Sequence, residues 1–421
     1  MTINNEHKKL NVPNLRFPEF SGEWEEFGLS ELLDFKNGLN PKPDKFGKGI
    51  KFISVMDILN NAVITYDCIK ASVDVTEKEL SDFSVEKGDM LFQRSSETLE
   101  DVGRANVYMD DKTAVFGGFV IRGKKKGEYD PQYFNYLLRS PFARKRIIPM
   151  GAGAQHFNIG QEGLSKVKLH FANIEEQNKI GKILSLLDER ISIQSKIIED
   201  LKKLKVAIIE QVFCSPNQEY PICRIKGFKQ PLTTYKLSSF CSRIVTKNKD
   251  AKCSLVLTIA AQYGLVNQES FFNKSVASEN LTGYYLLHKG EFAYNRSYST
   301  GYDWGAVKRL DNYDKGVLST LYICFKINET IVDSDYLTYY FESTKWHKGL
   351  SDIAGEGARN HGLLNVSMTD YFNTKHRFPV IEEQKAIAKM LNAITEKERK
   401  ATLLGECYQK QKQYLLRQMF I

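Results

Sequence analysis

Apolar residues recur at alternating intervals of four and three positions in two long stretches of the chain, 174–213 and 381–420. This spacing predicts two amphipathic helices, each roughly 60 Å long at about 1.5 Å per residue. In the first stretch the apolar seam consists of Ile180, Leu184, Leu187, Ile191, Ile198, Leu201, Ile208 and Val212, with polar Gln194 and Lys205 interrupting it. Glu398 and Gly405 interrupt the middle of the second seam, which predicts weaker packing there.

The two stretches are copies of one element, because Ile-Glu-Glu-Gln opens each, at 174–177 and again 207 residues later at 381–384. A repeat of this length indicates two modules, each a globular half followed by a long helix. We expect the helices to pair antiparallel along a seam through Leu184, Leu187, Ile191, Ile387, Leu391 and Ile394. The alternative is that each helix packs separately on its own globular half.

The predicted domain boundaries follow from the repeat. They are a globular half at 1–172, a long helix at 173–213, a second half at 214–378 and a second long helix at 379–421, with a hinge at 214–220. Asn173 and Glu176 have the spacing of a capping box. Glu383-Gln384-Lys385 resembles a nuclease motif, but its place at a helix start favours capping and surface charge.

Matching segments at 85–95 and 287–297 each predict a turn, at a Lys-Gly-acid sequence, followed by a strand of alternating apolar residues. A further strand is predicted near 113–120 and another near 318–325. Helices are predicted at 131–138 and 334–341, and a glycine-rich loop closes each half at 151–156 and 355–361. Because strands and helices mix without a regular βαβ alternation, the halves are predicted to be α+β.

Composition narrows the class of protein. No segment has the roughly 20 apolar residues of a membrane span, and residues 1–10 lack a signal-peptide core, so we expect a cytoplasmic protein. The seven cysteines form no C-x-x-C pair, which predicts free thiols and no structural zinc. The net charge of +8 is uneven, since residues 1–173 are neutral, residues 214–380 carry +5 and residues 381–420 carry +3.

Common catalytic motifs are absent from the sequence. It contains no P-loop, no G-x-S-x-G elbow and no Asn-Pro-Pro-aromatic sequence of amino-methyltransferases. Gly151-Ala-Gly153 and Gly355-Glu-Gly357 lack the third glycine of a dinucleotide site, and the seven histidines form no metal-binding pattern. The sequence therefore favours a binding protein over an enzyme.

Four features together carry a family resemblance. They are Asn-Ile-Glu-Glu-Gln at 173–177, Val-Ile-Glu-Glu-Gln at 380–384, the Gly-x-Gly-Ala loops that precede them, and the opening Asn-Val-Pro-Asn-Leu-Arg-Phe-Pro-Glu-Phe at 11–20. In this order, and with one offset, they resemble the specificity subunits of type I DNA restriction–modification systems over nearly the whole chain.

The resemblance implies two tandem target-recognition domains, each recognising one part of a bipartite sequence in double-stranded DNA. It also implies that the paired helices form an antiparallel coiled coil, set the spacer and hold two modification subunits. Those subunits would carry S-adenosylmethionine and methylate adenine, and two restriction subunits would use ATP and Mg²⁺. The chain itself would be non-catalytic and hold no cofactor.

Side chains able to reach base edges identify the candidate DNA-binding residues. They lie after the first matched strand of each half or in the closing loops, and they are Arg94, Ser95, Arg104, Gln155, His156, Asn158, Asn295, Arg296, Ser297, Tyr298, Arg359, Asn360 and His361. Arg94 and Arg296 occupy matched positions in halves expected to recognise different sequences. That match favours phosphate binding, or a structural role through buried carboxylates, over base recognition.

Two other functions remain open from the sequence. One is a two-domain coiled-coil scaffold that never binds nucleic acid, which salt-dependent DNA binding would exclude. The other is a self-contained enzyme with unfamiliar chemistry, which incubation of the chain alone with DNA and S-adenosylmethionine would test.

Overall fold

The computed structural model describes residues 10–249, 252–274, 280–297, 301–354, 359–360 and 363–421, with the backbone alone at 359, 360 and 363. The chain forms two compact units. Unit 1 contains the residues up to Ser195 together with Thr402–Ile421, and unit 2 contains Lys196–Ala401. Each of the two long helices, Ile174–Val212 and Ile381–Gln418, therefore begins in one unit and ends in the other.

Unit 1 is built on two four-stranded sheets. The first is antiparallel, in the order Leu33–Asn37, Val120–Lys125, Met90–Gln93 and Ala105–Val107. The second is mixed, in the order Ser72–Val73, Phe46–Ile53, Ala114–Phe116 and Ser84–Val85. Glu25–Gly28 pairs with Lys168–Phe171, and Ser95–Ser96 pairs with Phe157–Asn158. The shorter α-helices are Leu29–Leu32, Val55–Asn60, Glu77–Phe83, Pro131–Arg139, Pro141–Ile147 and Gln161–Ser165.

Unit 2 repeats the antiparallel sheet, in the order Cys241–Arg243, Ile323–Ile327, Phe292–Asn295 and Ala306–Arg309. Its two-stranded sheets pair Thr233–Lys236 with Lys375–Phe378, Leu257–Ala260 with Gly264–Asn267, Tyr285–His288 with Lys315–Leu318, and Arg359–Asn360 with Leu363–Leu364. The shorter α-helices are Leu237–Phe240, Gln268–Phe272, Ser334–Tyr340, His347–Ser351 and Met368–Asn373. The α+β class is confirmed in both units.

The long helices pack together antiparallel, as predicted. In unit 1, Ile180 and Leu184 near the start of the first helix share a core with Met419 and Phe420 at the end of the second. In unit 2 the roles reverse, and the core joins Ile209, Val212 and Phe213 of the first helix region to Ile387, Ala388 and Leu391 of the second. The alternative also holds in part, because each helix start packs on the globular half that precedes it.

Polar residues in the helix seams pair with one another. In unit 2 the Lys205 amine donates to the Glu398 carboxylate at 2.9 Å, with both side chains mostly buried. Burial alone would lower the pKa of Lys205, but the hydrogen bond to Glu398 leaves that pKa raised. In unit 1, Lys412 donates to Asp188, which also accepts from the Tyr136 hydroxyl at 2.8 Å. At Glu398, where the sequence predicts weaker packing, two polar interruptions meet as an ion pair, and the buried residues of the second helix all lie at its start, between Glu383 and Leu391.

A buried arginine–glutamate pair lies at the start of each long helix. Arg16 donates through Nε and Nη2 to the two carboxylate oxygens of Glu176, at 2.8 and 2.7 Å. Arg224 makes the same two contacts with Glu383, at 2.9 and 2.6 Å. Both glutamates are buried, so the expectation of surface charge here is wrong. A polar residue that looks solvated in the sequence is buried because an arginine about 160 residues earlier binds it.

At the start of the helix Ile174–Val212, one half of the predicted capping box forms and the other does not. The Asn173 side chain accepts from the Glu176 backbone amide at 2.9 Å, but the Glu176 carboxylate binds Arg16 instead of completing a capping box. The next residue, Gln177, donates to the Ala172 carbonyl at 2.8 Å and accepts from a backbone amide at 2.9 Å. The Glu-Gln pair thus fastens the helix to its globular half.

Two predicted strands each prove to be two strands joined by a turn. The stretch at 113–120 divides into Ala114–Phe116 and the start of Val120–Lys125. The stretch at 318–325 divides between the end of Lys315–Leu318 and the start of Ile323–Ile327. Apolar residues lie on both sides of each turn, so the apolar pattern alone does not reveal the break, although Gly117-Gly118 is a turn signal in the first stretch.

Candidate nucleic-acid interface

Three of the candidate residues in unit 1 meet where two short strands pair. Arg94 follows the strand Met90–Gln93, and Ser95 pairs with Asn158 across the strands. The Ser95 hydroxyl and the Asn158 side-chain oxygen are in hydrogen-bond contact. The Ile159 amide donates to the Arg94 carbonyl at 2.9 Å, which joins the closing loop to the end of the sheet. We call Arg94, Ser95 and Asn158 the unit 1 recognition edge.

The guanidinium of Arg94 is engaged within the protein. Its Nη1 donates to the Gly118 carbonyl at 3.2 Å, while the Arg94 amide donates to the Phe119 carbonyl at 2.9 Å. Arg296 has the same role in unit 2, where its Nη1 donates to the Val366 carbonyl at 3.2 Å. The expected buried carboxylate partners are wrong, since backbone carbonyls accept instead. Both contacts favour a positioning role for these arginines.

The remaining unit 1 candidates divide into two environments. Gln155 and His156 are exposed near the tip of the closing loop, and the His156 carbonyl accepts from the Asn158 amide nitrogen at 3.3 Å. Arg104 forms an ion pair with Asp101 at 2.6 Å and lines a separate cavity of about 340 Å³ with Arg139 and Arg144. Burial lowers the pKa of Arg144 to about 10.

In unit 2 the structure describes part of the candidate set. Asn295 ends the strand Phe292–Asn295, and its side-chain oxygen accepts from the Ser297 amide at 3.0 Å. The backbone of Arg359 and Asn360 pairs with Leu363–Leu364, and the Leu364 amide donates to the Arg296 carbonyl at 3.0 Å. That contact corresponds to the one between Ile159 and Arg94 in unit 1. Tyr298 and His361 lie outside the described residues.

The sequence reasoning missed two apolar residues beside these candidates. Phe119 follows Gly117 and Gly118 in the turn that Arg94 contacts, and Leu321 occupies the equivalent turn in unit 2. Both side chains are largely exposed. A Gly-Gly pair before an aromatic residue is a turn signal that could have indicated the first of them. A Cβ on Gly118 would lie 1.9 Å from the Asn40 side-chain oxygen, so a larger residue there would have to displace the Asn40 side chain.

Basic segments accompany both turns. Residues 36–51 contain five lysines and one acidic residue, and residues 241–253 contain four basic residues and one acidic residue. In unit 1 the segment is adjacent to the turn, because the Leu39 amide donates to the Phe116 carbonyl at 2.9 Å. In unit 2 the Ile244 amide donates to the Cys324 carbonyl at 2.8 Å. Local lysine clusters of this kind suit contacts with phosphates.

Other classes of site find little support among the described residues. No group of histidine, cysteine or acidic side chains there could hold a metal ion. No helix in the described part of the chain is both long and apolar enough to cross a membrane. The features that remain are polar edges, exposed turns and basic segments, repeated in two units joined by paired helices. This arrangement suits a class of two-domain proteins that bind nucleic acid.

Comparison with known proteins indicates which family the chain resembles. Residues 21–203 match the family described as the type I restriction modification DNA specificity domain. The putative type I restriction enzyme MjaX specificity subunit of Methanocaldococcus jannaschii is 24% identical over 412 residues, covering 93% of this chain and 91% of that protein. The EcoKI specificity subunit of Escherichia coli is 25% identical over 138 residues, covering 32% and 28%.

A solved structure shares the fold over nearly the whole chain. The S subunit of a type I restriction–modification system from M. genitalium superposes with a TM-score of 0.57 at 15% identity, covering 97% of this chain and 99% of that chain. The chain is therefore similar to type I restriction–modification specificity subunits, through the domain at residues 21–203 and through a relative that aligns with nearly the whole chain. The matching family and these relatives are all described as DNA specificity domains or specificity subunits of type I restriction enzymes.

Proposed function

We propose that each unit recognises one part of a bipartite DNA sequence and that the two long helices set the spacer between those parts. The observation that carries this proposal is the duplication itself. The Arg16–Glu176 and Arg224–Glu383 pairs are nearly identical, whereas the surfaces beyond them differ in sequence. One framework that presents two different surfaces suits an asymmetric target, because base contacts come from local side chains.

The finer site assignment is also a proposal. In unit 1, Ser95, Gln155, His156 and Asn158 supply contacts to DNA, and in unit 2 Asn295, Ser297, Tyr298, Arg359, Asn360 and His361 supply them. Arg94 and Arg296 act mainly by positioning, because their guanidinium groups already donate to backbone carbonyls. Arg104 contacts phosphate in this proposal, since a charged side chain paired at an exposed edge can exchange its partner.

A domain exchange tests the assignment of half-sites. Replacing 224–378 with the corresponding part of a relative should change one half-site of the methylated sequence and leave the other unchanged. The intact modification complex is assembled with each chain, and methylated DNA is sequenced to determine the target. A change in both half-sites would contradict independent recognition. A wild-type complex that does not bind DNA would contradict the proposed function itself.

The spacer is tested through the helices. We propose that inserting four residues between Lys196 and Leu204, with a matching insertion after Lys400, lengthens the preferred spacer by about one to two base pairs. The inserted turn adds roughly 6 Å at about 1.5 Å per residue. The matching insertion keeps the Lys205–Glu398 and Asp188–Lys412 pairs in register. Altered half-site bases with an unchanged spacer would show that the helices do not act as a ruler.

Two modification subunits are the proposed partners of the helices, and they would carry S-adenosylmethionine. Two restriction subunits with ATP and Mg²⁺ would complete the endonuclease. In unit 1 the first helix exposes Ile183, Leu186 and Ile193 outside the seam, and an exposed apolar row of this kind favours a helical partner. Leu186→Asp should abolish co-purification with the modification subunit and leave DNA binding of the chain unchanged. Retained co-purification would contradict docking at this row.

Catalysis belongs to the partners in this proposal. N6-methyladenine should form only when the modification subunit is added to the chain, DNA and S-adenosylmethionine. Methylation by the purified chain alone would overturn its role as a recognition subunit. No feature of the described residues favours the alternative of a scaffold that does not bind nucleic acid.

A further inference from the structure

Each unit exposes one large apolar side chain at the tip of an equivalent turn. In unit 1 the turn is closed by the Val120 amide, which donates to the Gly117 carbonyl at 2.8 Å, and the Phe119 side chain is 69% exposed. In unit 2 the Tyr322 amide donates to the Ser319 carbonyl at 3.2 Å, and Leu321 is 59% exposed. An apolar side chain in water does not gain the free energy of hydrophobic burial. Because an exposed apolar residue recurs at this turn in two diverged halves, we expect it to contact a partner.

An arginine at the matched position holds each turn. Arg94 binds the carbonyls of Gly118 and Phe119, through its Nη1 at 3.2 Å and its amide at 2.9 Å. Arg296 donates through Nη2 to the Leu321 carbonyl at 3.4 Å. Both tips are therefore fixed to the end of the strand that leads into the candidate DNA-binding residues.

The surroundings of the tips indicate the kind of partner. Phe119 lines a cavity of about 390 Å³ whose walls include Phe46, 42% exposed, and Met56, 60% exposed. The lysine-rich segment 36–51 runs beside this cavity, since the Gly38 amide donates to the Val120 carbonyl at 3.2 Å. An apolar tip flanked by positive charge suits a polyanion that also presents apolar groups.

We propose that Phe119 and Leu321 each contact the 5-methyl group of a thymine in the half-site that their unit recognises. The inference rests on the proposed DNA recognition and assigns a base contact within it. Phosphates and the other base edges of the major groove present polar atoms, whereas the thymine methyl is the apolar group available there. The two tips differ in size and shape, as expected for contacts within two different half-sites.

Replacement of thymine by deoxyuridine removes only this methyl group and tests the contact directly. The target sequence is first determined from methylated host DNA, and binding of the full chain is then measured on duplexes with single substitutions. One deoxyuridine in the unit 1 half-site should weaken wild-type binding roughly three- to tenfold, as expected for one methyl group leaving an apolar contact. Phe119→Ala should weaken binding to the unmodified duplex by a similar factor and show no further loss on that deoxyuridine duplex.

The second unit supplies the matched control. Leu321→Ala should remain sensitive to the unit 1 substitution and lose sensitivity to one in the other half-site. Ile222→Ala removes an exposed apolar side chain outside both turns and should bind like the wild type.

Several results would overturn the inference. One is that Phe119→Ala loses as much affinity on the deoxyuridine duplex as the wild type does. Another is that the unit 1 half-site contains no A·T pair. A third is that Phe119→Ala binds all duplexes equally weakly and bends DNA less, which would indicate that Phe119 inserts between base pairs. Absence of sequence-specific binding by the wild-type chain would instead contradict the proposed function. A thymine-specific loss confined to the matching unit is therefore the distinguishing result.

Discussion

Removing Arg16 should destabilise unit 1, because its partner Glu176 is buried. Arg16→Ala leaves the Glu176 carboxylate buried, and among the described side chains the Trp24 indole nitrogen, 3.2 Å away, still donates to it. Breaking a buried pair by removing one partner typically costs about 3–5 kcal/mol. We therefore expect the free energy of unfolding of unit 1 to fall by about 3–5 kcal/mol at pH 7.

Hydrogen exchange measured by mass spectrometry suits this experiment, because its peptides report on the two units separately. Arg16→Ala should speed exchange in the unit 1 core at pH 7 and leave the unit 2 core unchanged, while Arg224→Ala should do the reverse. Lys166→Ala breaks an exposed pair with Glu162 and serves as the control, with no resolvable change expected. Equal effects of Arg16→Ala and Lys166→Ala on exchange in the unit 1 core would refute the reasoning.

Three further predictions concern buried polar groups and the helix seam. Burial lowers the pKa of His376 to about 3, so below about pH 6.5 the unfolded chain binds a proton that folded unit 2 excludes. The free energy of unfolding of unit 2 should fall by roughly 2 kcal/mol between neutral pH and pH 5. Thermal unfolding should show a smaller fall for His376→Leu, and identical pH profiles of stability for the variant and the wild type would contradict this. A double-mutant cycle with Lys205→Met and Glu398→Gln should give a coupling energy of about 1 kcal/mol in denaturant unfolding, and additive effects would show that the pair is not coupled. Leu187→Asp buries a carboxylate in the seam and should make the chain insoluble or unfold unit 1, whereas normal solubility and folding would contradict the seam.

Periodicity in the sequence was sufficient to predict the long helices and their antiparallel pairing. A repeat with one offset fixes where both helices begin, and the structure places those starts at Ile174 and Ile381. The matched turn-and-strand segments and the helices Pro131–Arg139 and Ser334–Tyr340 also follow from local patterns. These features depend on neighbouring residues, which a single sequence displays directly.

The remaining features depend on residues far apart in the chain. Glu176 looks like a solvated residue at a helix start until Arg16 is placed beside it, and nothing in their separation of 160 residues indicates the pair. The exposure of Phe119 was missed for a similar reason. The Gly117-Gly118 pair signals a turn, but Phe119 lies in an otherwise apolar stretch, and the tertiary structure shows that its side chain points into solvent.

The duplicated chain separates the parts that maintain the fold from the parts that can vary. Each arginine–glutamate pair joins the beginning of a globular half to the long helix that follows it, so the framework is fixed by residues away from the candidate interface. Arg94 and Arg296 are likewise matched. They bind backbone carbonyls, which are present whatever side chain the residue at the tip carries. The tip side chain itself can therefore change from phenylalanine to leucine without altering the contacts that hold the turn. A recognition protein needs this separation, since new half-sites require new surface residues on an unchanged scaffold.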